Sequence, residues 1–160
     1  MSMKEKIQII ELLDQSFSKK KELLEFYNIS FPKSKWSMTG VNSFFMKENN
    51  GVCFIVEKEE KISALIMGRI NKNDRSSIIL SALLVGDELE GKGYGKILVE
   101  KFIDRSFINN GFQKIKLHFR DSNDLRNFYE KFGFEYGGIC GQYKNGEKKH
   151  YMDMDRSVII

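Results

Sequence analysis

Proline occurs once in the 160 residues, tryptophan once, and cysteine and histidine twice each. The lone proline, Pro32, marks a connection, because its ring cannot continue a helix. The cysteines, Cys53 and Cys140, lie far apart without metal-ligand spacing. They are expected to be reduced thiols of a cytoplasmic protein, with no metal site and no disulfide. No run of 18 apolar residues exists, so no membrane span is expected. The stretch Ile7–Leu13 is short, carries Gln8 and Glu11, and lacks a small-residue cleavage site, so no signal peptide is expected either. A large charge excess is also missing. The net charge is +4 and the basic residues are interleaved with acids. That balance helps to steer a polyanion but does not argue for a nucleic-acid partner. Repeats, linkers and low-complexity segments are absent as well.

What is present is ordinary for a globular chain, with 41% apolar and 30% charged residues. The length suits a single domain over residues 1–160 with a sizeable core. Lys6–Leu13 reads as a strand or as the start of a long helix. Ser18–Tyr27 reads as a helix whose Lys19, Lys20 and Lys21 form a solvated face. Residues 31–36 form a loop. Thr39 is the expected cap of a second helix carrying Val41, Phe44 and Phe45, ended by Asn49-Asn50-Gly51. Val52–Val56 and Lys61–Ile70 read as a hairpin across the polar turn 57–60. The near-continuous apolar run from Ile78 to Val85 makes Ser76–Val85 a central strand covered on both faces.

The chain then passes through Gly86-Asp87-Glu88-Leu89-Glu90-Gly91-Lys92-Gly93-Tyr94-Gly95-Lys96. Alternate glycines allow a tight turn with exposed N–H groups, and a helix is expected from about Tyr94. Unpaired N–H groups and a positive dipole end favour an anion there. Leu98, Val99, Phe102 and Ile103 give that helix one apolar face, and Asn110-Gly111 stops it. Phe112–Phe119 alternates, with Ile115, Leu117 and Phe119 opposite Lys114, Lys116 and His118, and a strand–helix–strand crossover implies parallel pairing. Ser122 or Asn123 is expected to cap a short helix carrying Leu125, Phe128, Tyr129 and Phe132, which Gly133 ends. Phe134–Cys140 and Glu147–Met154 read as a closing hairpin around Tyr143-Lys144-Asn145-Gly146. The fold class is therefore α+β: a mixed, largely antiparallel sheet of about seven strands with about four helices on both faces.

Three phosphate-binding turns compete for the glycine stretch. Gly86 to Gly91-Lys92 nearly matches a Walker A loop, but Gly93 replaces the hydroxyl residue that holds Mg²⁺. The Gly91-x-Gly93-x-Gly95 spacing departs from the dinucleotide fingerprint, and the loop lies mid-chain. The third reading is a resemblance. Leu83-x-Val85 followed by Glu90-Gly91-Lys92-Gly93-Tyr94-Gly95-Lys96 resembles the acyl-CoA motif of the GNAT superfamily of N-acetyltransferases, Gln/Arg-x-x-Gly-x-Gly/Ala. Asn123 to Phe134 is similar to the second signature of that superfamily, Asn-x-x-Ala-x-x-Leu/Phe-Tyr-x-x-x-Gly-Phe. The order of elements fits over nearly the whole chain.

The resemblance implies a GNAT-like fold and acetyl transfer from acetyl-CoA to a primary amine of a small molecule or peptide, directly in a ternary complex. It implies that the backbone of Leu83 and Val85 holds the pantetheine arm, that the N–H groups from Gly91 to Lys96 hold the pyrophosphate, and that Asn123 contacts the cofactor or caps its helix. Tyr129 is the implied general acid for the departing thiolate. Glu90 stands where the family has Gln or Arg; it points outward or pairs with Lys92 or Lys96. Arg126 stands where the family often has Ala; it reaches the cofactor phosphates or is an exposed helix residue. The general base is open among Glu57, Glu88, His118 and a water chain, with His150 weaker. Phe31, Trp36 and Tyr143 can line the amine site or simply pack. A homodimer through the C-terminal hairpin and Val158-Ile159-Ile160 is compatible, and a non-catalytic acyl-CoA sensor is the alternative reading.

Overall fold

A computed structural model describes residues 6–13, 16–32, 35–49 and 51–159. Lys33, Ser34, Asn50 and Ile160, which belong to segments read above, lie outside the described residues. Seven strands, β1 (Ile7–Glu11), β2 (Val52–Lys58), β3 (Lys61–Asn71), β4 (Asp74–Val85), β5 (Lys114–Arg120), β6 (Glu135–Gln142) and β7 (Lys148–Asp155), form one sheet in the order β1-β2-β3-β4-β5-β7-β6. Four α-helices accompany them: α1 (Phe17–Ser30), α2 (Met38–Phe44), α3 (Tyr94–Asp104) and α4 (Arg126–Glu130). The chain divides into two compact units, residues 1–69 with 82–102, and residues 70–81 with 103–160.

In the first unit, five consecutive residues of β2, Val52 to Val56, are buried, as are Ile62 to Gly68 of β3. Burial on both strand faces explains why these segments read as unbroken apolar runs rather than alternating ones. Leu23 of α1, Phe44 of α2, Cys53, Ile55, Leu65, Met67 and Ala82 share one core. Lys6–Leu13 resolves as strand β1, antiparallel to β2. The Pro32 connection is closed by Asn28: its Nδ2 donates to the Trp36 carbonyl at 3.0 Å, and its Oδ1 accepts from Trp36 N at 2.7 Å. Ser37, not Thr39, caps α2, its hydroxyl accepting from Gly40 N at 3.1 Å. The extended backbone of Ser37 aims its side chain at that N–H, whereas Thr39 already lies inside the helix. α2 stops at Phe44, and a 3-10 turn, Lys47–Asn49, follows. The lysine face of α1 is not wholly solvated. Lys19 Nζ lies 3.0 Å from Glu57 and 3.6 Å from Glu22.

The polar turn of the first hairpin is tighter than expected. β2 and β3 pair out to Lys58 and Lys61, leaving only Glu59 and Glu60 as loop. Both have positive φ, 54° and 65°, the type I′ geometry that normally recruits Asn-Gly. The left-handed region costs a non-glycine residue about 1–2 kcal/mol. The double substitution Glu59→Asn/Glu60→Gly is therefore expected to stabilise the protein by about 1 kcal/mol or more. A thermal melt would show a rise of several degrees; an unchanged or lower Tm would contradict the strain.

In the second unit, β5 alternates as its sequence does. Ile115, Leu117 and Phe119 are buried. On its other face Lys114 pairs with Asp153 at 3.5 Å and Lys116 with Asp74 at 3.8 Å. β5 pairs parallel with β4 through Ser77–Ile79 and Lys114–Lys116, and antiparallel with β7 along its whole length. A π-helical turn, Arg105–Asn109, continues α3, and Gly111, at φ 72°, ends it. α4 runs only from Arg126 to Glu130, and neither Ser122 nor Asn123 caps it. Leu125 occupies the cap position without a side-chain bond, and the Asp124 carboxylate accepts from Arg126 N at 2.9 Å. Asn123 N instead closes a turn onto the Arg120 carbonyl at 2.9 Å.

Candidate functional site

The glycine stretch lies in the first unit. Gly86 N donates to the Ser63 carbonyl at 2.8 Å, tying the end of β4 to β3. A Cβ at Gly86 would sit 2.7 Å from that same oxygen, so this position excludes any side chain. A 3-10 turn, Asp87–Leu89, follows, and buried Leu89 anchors it. Gly91 and Gly93 have φ of 73° and 84°, with nothing within 4 Å of a built Cβ. Their requirement for glycine is therefore conformational rather than steric. Gly95 does not share the positive φ; it is a residue of α3. The first N–H of α3 to close is that of Ile97, onto the Gly93 carbonyl at 3.2 Å. The N–H groups of Tyr94, Gly95 and Lys96 precede it and have no partner within the helix. Glycines on an exposed turn in front of these free donors form a concave donor set suited to a pyrophosphate.

The side chains near this turn sort by charge. Glu90 is exposed. Of its two expected partners, Lys96 reaches along its own helix to Glu100 at 3.9 Å. Glu88 accepts its own backbone N–H and the Ser63 hydroxyl. These bonds, helped by the charges of Lys58 and Lys92, hold it below the usual carboxylate range, which makes it a poor proton acceptor. Glu57 lines a cleft of about 380 Å³ with Lys6, Gln8, Lys19 and Glu60, and it pairs there with Lys19 at 3.0 Å. Trp36 packs between Tyr27, at 5.3 Å, and Phe44, at 5.8 Å, and the Phe31 ring lies tilted against Tyr27 at 4.9 Å. These rings belong to the periphery of the core.

Tyr129 lies in the second unit, on α4, and is 3% exposed. Phe128, Phe132 and Phe134 surround its ring with centroids 5.0, 6.5 and 5.4 Å away. Burial raises its pKa above the usual phenol value. Its hydroxyl has no hydrogen-bond partner among the described residues, yet it is not among the buried unpartnered atoms. The apolar body is thus fixed while the O–H stays available, as a proton donor requires. His118 stands exposed on β5, its ring 5.7 Å from that of Tyr151. Partial burial, then the charges of Lys149 and Lys116, lower its pKa. His150 is different: buried at 7%, it is bonded at both ring nitrogens, to Asp121 and Tyr136, each at 2.7 Å. Tyr143 lies under the Arg120 guanidinium at 3.8 Å. Arg126, one of whose readings was an exposed helix residue, is half-buried and stacks on Tyr136, its Cζ 3.5 Å from the ring centroid. Among the described residues no cluster of His, Cys, Asp and Glu could hold a metal ion. Cys53 is buried in the core, and that burial, with the charge of Glu11, pushes its thiol up to about 12, so it is inert as a nucleophile.

A seven-stranded mixed sheet of this order, with four α-helices and a glycine turn leading from β4 into α3, is the GNAT-like fold. The profile of the acetyltransferase (GNAT) family matches residues 9–134, and the chain belongs to that family. Solved structures of the same fold include the ribosomal-protein-S18-alanine N-acetyltransferase from Escherichia coli, at TM-score 0.71 and 18% identity over 94% of each chain. Escherichia coli ElaA aligns at TM-score 0.73 and 16% identity, over 94% of this chain and 100% of its own. A spermidine N-acetyltransferase chimera from Vibrio cholerae and hSSAT aligns at 0.73 and 19%, over 94% and 97%. No curated protein sequence matches the chain. Within the described residues no helix is long and apolar enough to cross a membrane.

Proposed function

We propose that the protein transfers the acetyl group of acetyl-CoA to a primary amine of a small molecule or peptide, in a ternary complex and without an acyl-enzyme. The observation that carries this reading is Tyr129: a phenol held by buried aromatic packing, kept protonated, and left with an unengaged hydroxyl. The turn from Gly91 to Lys96 holds the pyrophosphate through backbone N–H groups, the Leu83 and Val85 main chain holds the pantetheine arm, and Asn123 contacts the cofactor from its turn. Family membership supplies the link between these residues and Tyr129. The amine nitrogen attacks the thioester carbonyl, a C–N bond forms and the C–S bond breaks. The leaving thiolate takes the Tyr129 proton. Holding both substrates together supplies much of the rate, through proximity and orientation.

His118 is the proton acceptor for the incoming ammonium. Glu57 and Glu88 are committed to Lys19 and Ser63 and His150 to Tyr136 and Asp121, whereas His118 is exposed and its lowered pKa keeps it neutral further into the acid range. The acid limb of kcat/KM is therefore expected below the ordinary imidazole value, rising with pH as His118 loses its proton. His118→Gln is expected to remove that limb and lower kcat/KM by about 100-fold. A limb unchanged in the variant would assign the base elsewhere.

Structural neighbours named for spermidine and for the alanine of a ribosomal protein both point to amines, which supports the acceptor class. We read residues 1–160 as one cytoplasmic acetyltransferase domain whose C-terminal hairpin can pair two copies. The deciding experiment is thiol release from acetyl-CoA across a panel of polyamines, amino-acid derivatives and peptide N-termini. Thiol release dependent on one amine supports the enzyme. Tight CoA binding with no amine-dependent release would favour a sensor, and no CoA binding would sink the reading.

A further inference from the structure

The strand face that carries His118 is charged unevenly. β5 and β7 pair Lys114 with Asp155, Lys116 with Asp153, His118 with Tyr151 and Arg120 with Lys149, and directly opposed residues share a face. At one end acids meet bases: Lys114 lies against Asp153, Lys116 against Asp74, and the Tyr151 hydroxyl donates to Asp153. At the other end two cations, Arg120 and Lys149, stand opposite each other. Like charges so placed repel.

One carboxylate answers that repulsion, and it answers it for Arg120. Glu147 lies 3.3 Å from the Arg120 guanidinium, and its other oxygen accepts from Ser122 N at 2.6 Å. The Ser122 hydroxyl and N–H hold Glu147 down at about 2, so it stays with this turn as an anion. Lys149 is half-buried and has no acidic partner among the described residues. Its ammonium lies 5.4 Å from the centre of the Tyr143 ring, which also carries Arg120 at 3.8 Å. Tyr143 is fixed by its own hairpin: its N donates to the Glu147 carbonyl and its carbonyl accepts from Gly146 N, each at 2.9 Å. Lys149 is thus held in place without a counter-charge. It stands diagonally across from His118, at about 7–8 Å between Cα atoms. Its charge reaches that ring: after partial burial, Lys149 and then Lys116 lower the His118 pKa.

We propose that Lys149 reads an anionic group on the acceptor, so that the acetylated amine belongs to a small molecule carrying a carboxylate or a phosphate a few bonds from its nitrogen. The proposal deepens the acetyl-transfer reading and rests on His118 as the base. The amine is placed at His118 and the anion at Lys149, beside Arg120, with Tyr143 as the positioning residue. A polyamine brings more positive charge against Lys116, Arg120 and Lys149, and is disfavoured.

The test pairs amines of similar shape and different charge: β-alanine with β-alaninamide, and O-phosphoethanolamine with ethanolamine, with spermidine alongside. In the thiol-release assay the anionic member of a pair is expected to have a kcat/KM about tenfold higher, through KM, and spermidine the lowest. Which pair responds separates carboxylate from phosphate. Added salt should shrink the preference. Lys149→Met should erase it, Lys149→Arg should keep it, and Tyr143→Leu should lose part of it. A second readout needs no turnover. The chain has two histidines, so the proton NMR signal of His118 is the one missing from His118→Gln. The anionic amine should raise the His118 pKa in the wild type, by offsetting the Lys149 charge, and leave it unmoved in Lys149→Met. Equal use of both members, a preference for spermidine, or a Lys149→Met variant that keeps the wild-type preference would overturn the proposal while leaving acetyl transfer intact. If no amine releases thiol, the acetyl-transfer reading falls, and the acceptor role of Lys149 with it.

Discussion

Tyr129→Phe is expected to lower kcat by about 100-fold or more while leaving the KM for acetyl-CoA near its wild-type value. General acid catalysis contributes roughly 10²–10⁴ in rate, and only the proton donor is removed. The phenyl ring keeps the packing against Phe128, Phe132 and Phe134. The lost hydroxyl leaves no protein group unsatisfied, because it has no partner among the described residues. The melting temperature should therefore stay close to wild type, which separates a chemical defect from a folding one. The pH dependence has a definite sign. Burial raises the pKa of Tyr129, so the protonated, active form persists to higher pH than a free phenol would, and no alkaline fall from this group is expected across the ordinary phenol range. Initial rates of thiol release at saturating amine, from pH 6 to 10, would measure both effects. A variant within threefold of wild type would remove Tyr129 from the chemistry.

The second large effect belongs to the glycine turn. Replacing Gly91 and Gly93 together by alanine forces two L-residues to φ near 73° and 84°. The methyl groups meet nothing within 4 Å, so the cost is backbone strain, about 1–2 kcal/mol per position. The chain can respond in two ways. It can keep the turn and lose stability, or relax the turn and turn the free N–H groups away from the pyrophosphate. Only the second response weakens the cofactor complex, and through it the KM for acetyl-CoA is expected to rise about tenfold, one strained residue's worth of free energy. Gly93→Asn is the control, since asparagine tolerates the left-handed region better than most residues; its loss should be smaller. Calorimetry with CoA and a thermal melt on each variant would separate the two responses. Unchanged CoA affinity together with an unchanged melting temperature in the double variant would show that this turn does not need glycine to hold the ligand.

Much of the architecture was legible because it follows from periodicity. Ile115, Leu117 and Phe119 alternate with lysines and histidine, and β5 buries those three residues. The apolar run before Val85 becomes the fourth of seven strands. The helix expected from Tyr94 begins there. Caps and turns were less legible. Thr39 and Ser37 are equally good cap residues by chemistry, and only the extended backbone of Ser37 decides between them. Glu59-Glu60 lies within the polar turn read over 57–60 but carries no Asn or Gly to signal the left-handed turn type. Its left-handed geometry is imposed by the Lys58–Lys61 pairing, an effect of register rather than propensity.

The local content of this protein is set by its sequence alone. The apolar periods, the glycine pair Gly91 and Gly93, and the signature around Tyr129 are short-range patterns, and they are enough to place the chain in its family. Tertiary structure decided which polar groups remain free. Lys19 reads as a surface charge yet pairs with Glu57, 38 residues away. His150 reads as a weak general-base candidate of a hairpin yet joins Asp121 and Tyr136, 29 and 14 residues off. Arg126 sits on the Tyr136 ring with an unsatisfied Nε. These outcomes depend on helix docking and strand register, which bring residues distant in sequence to 3.0 Å for Lys19 and Glu57 and to 2.7 Å for His150 and its two partners. Sequence spacing fixes neither, because register is settled only when the sheet faces pack.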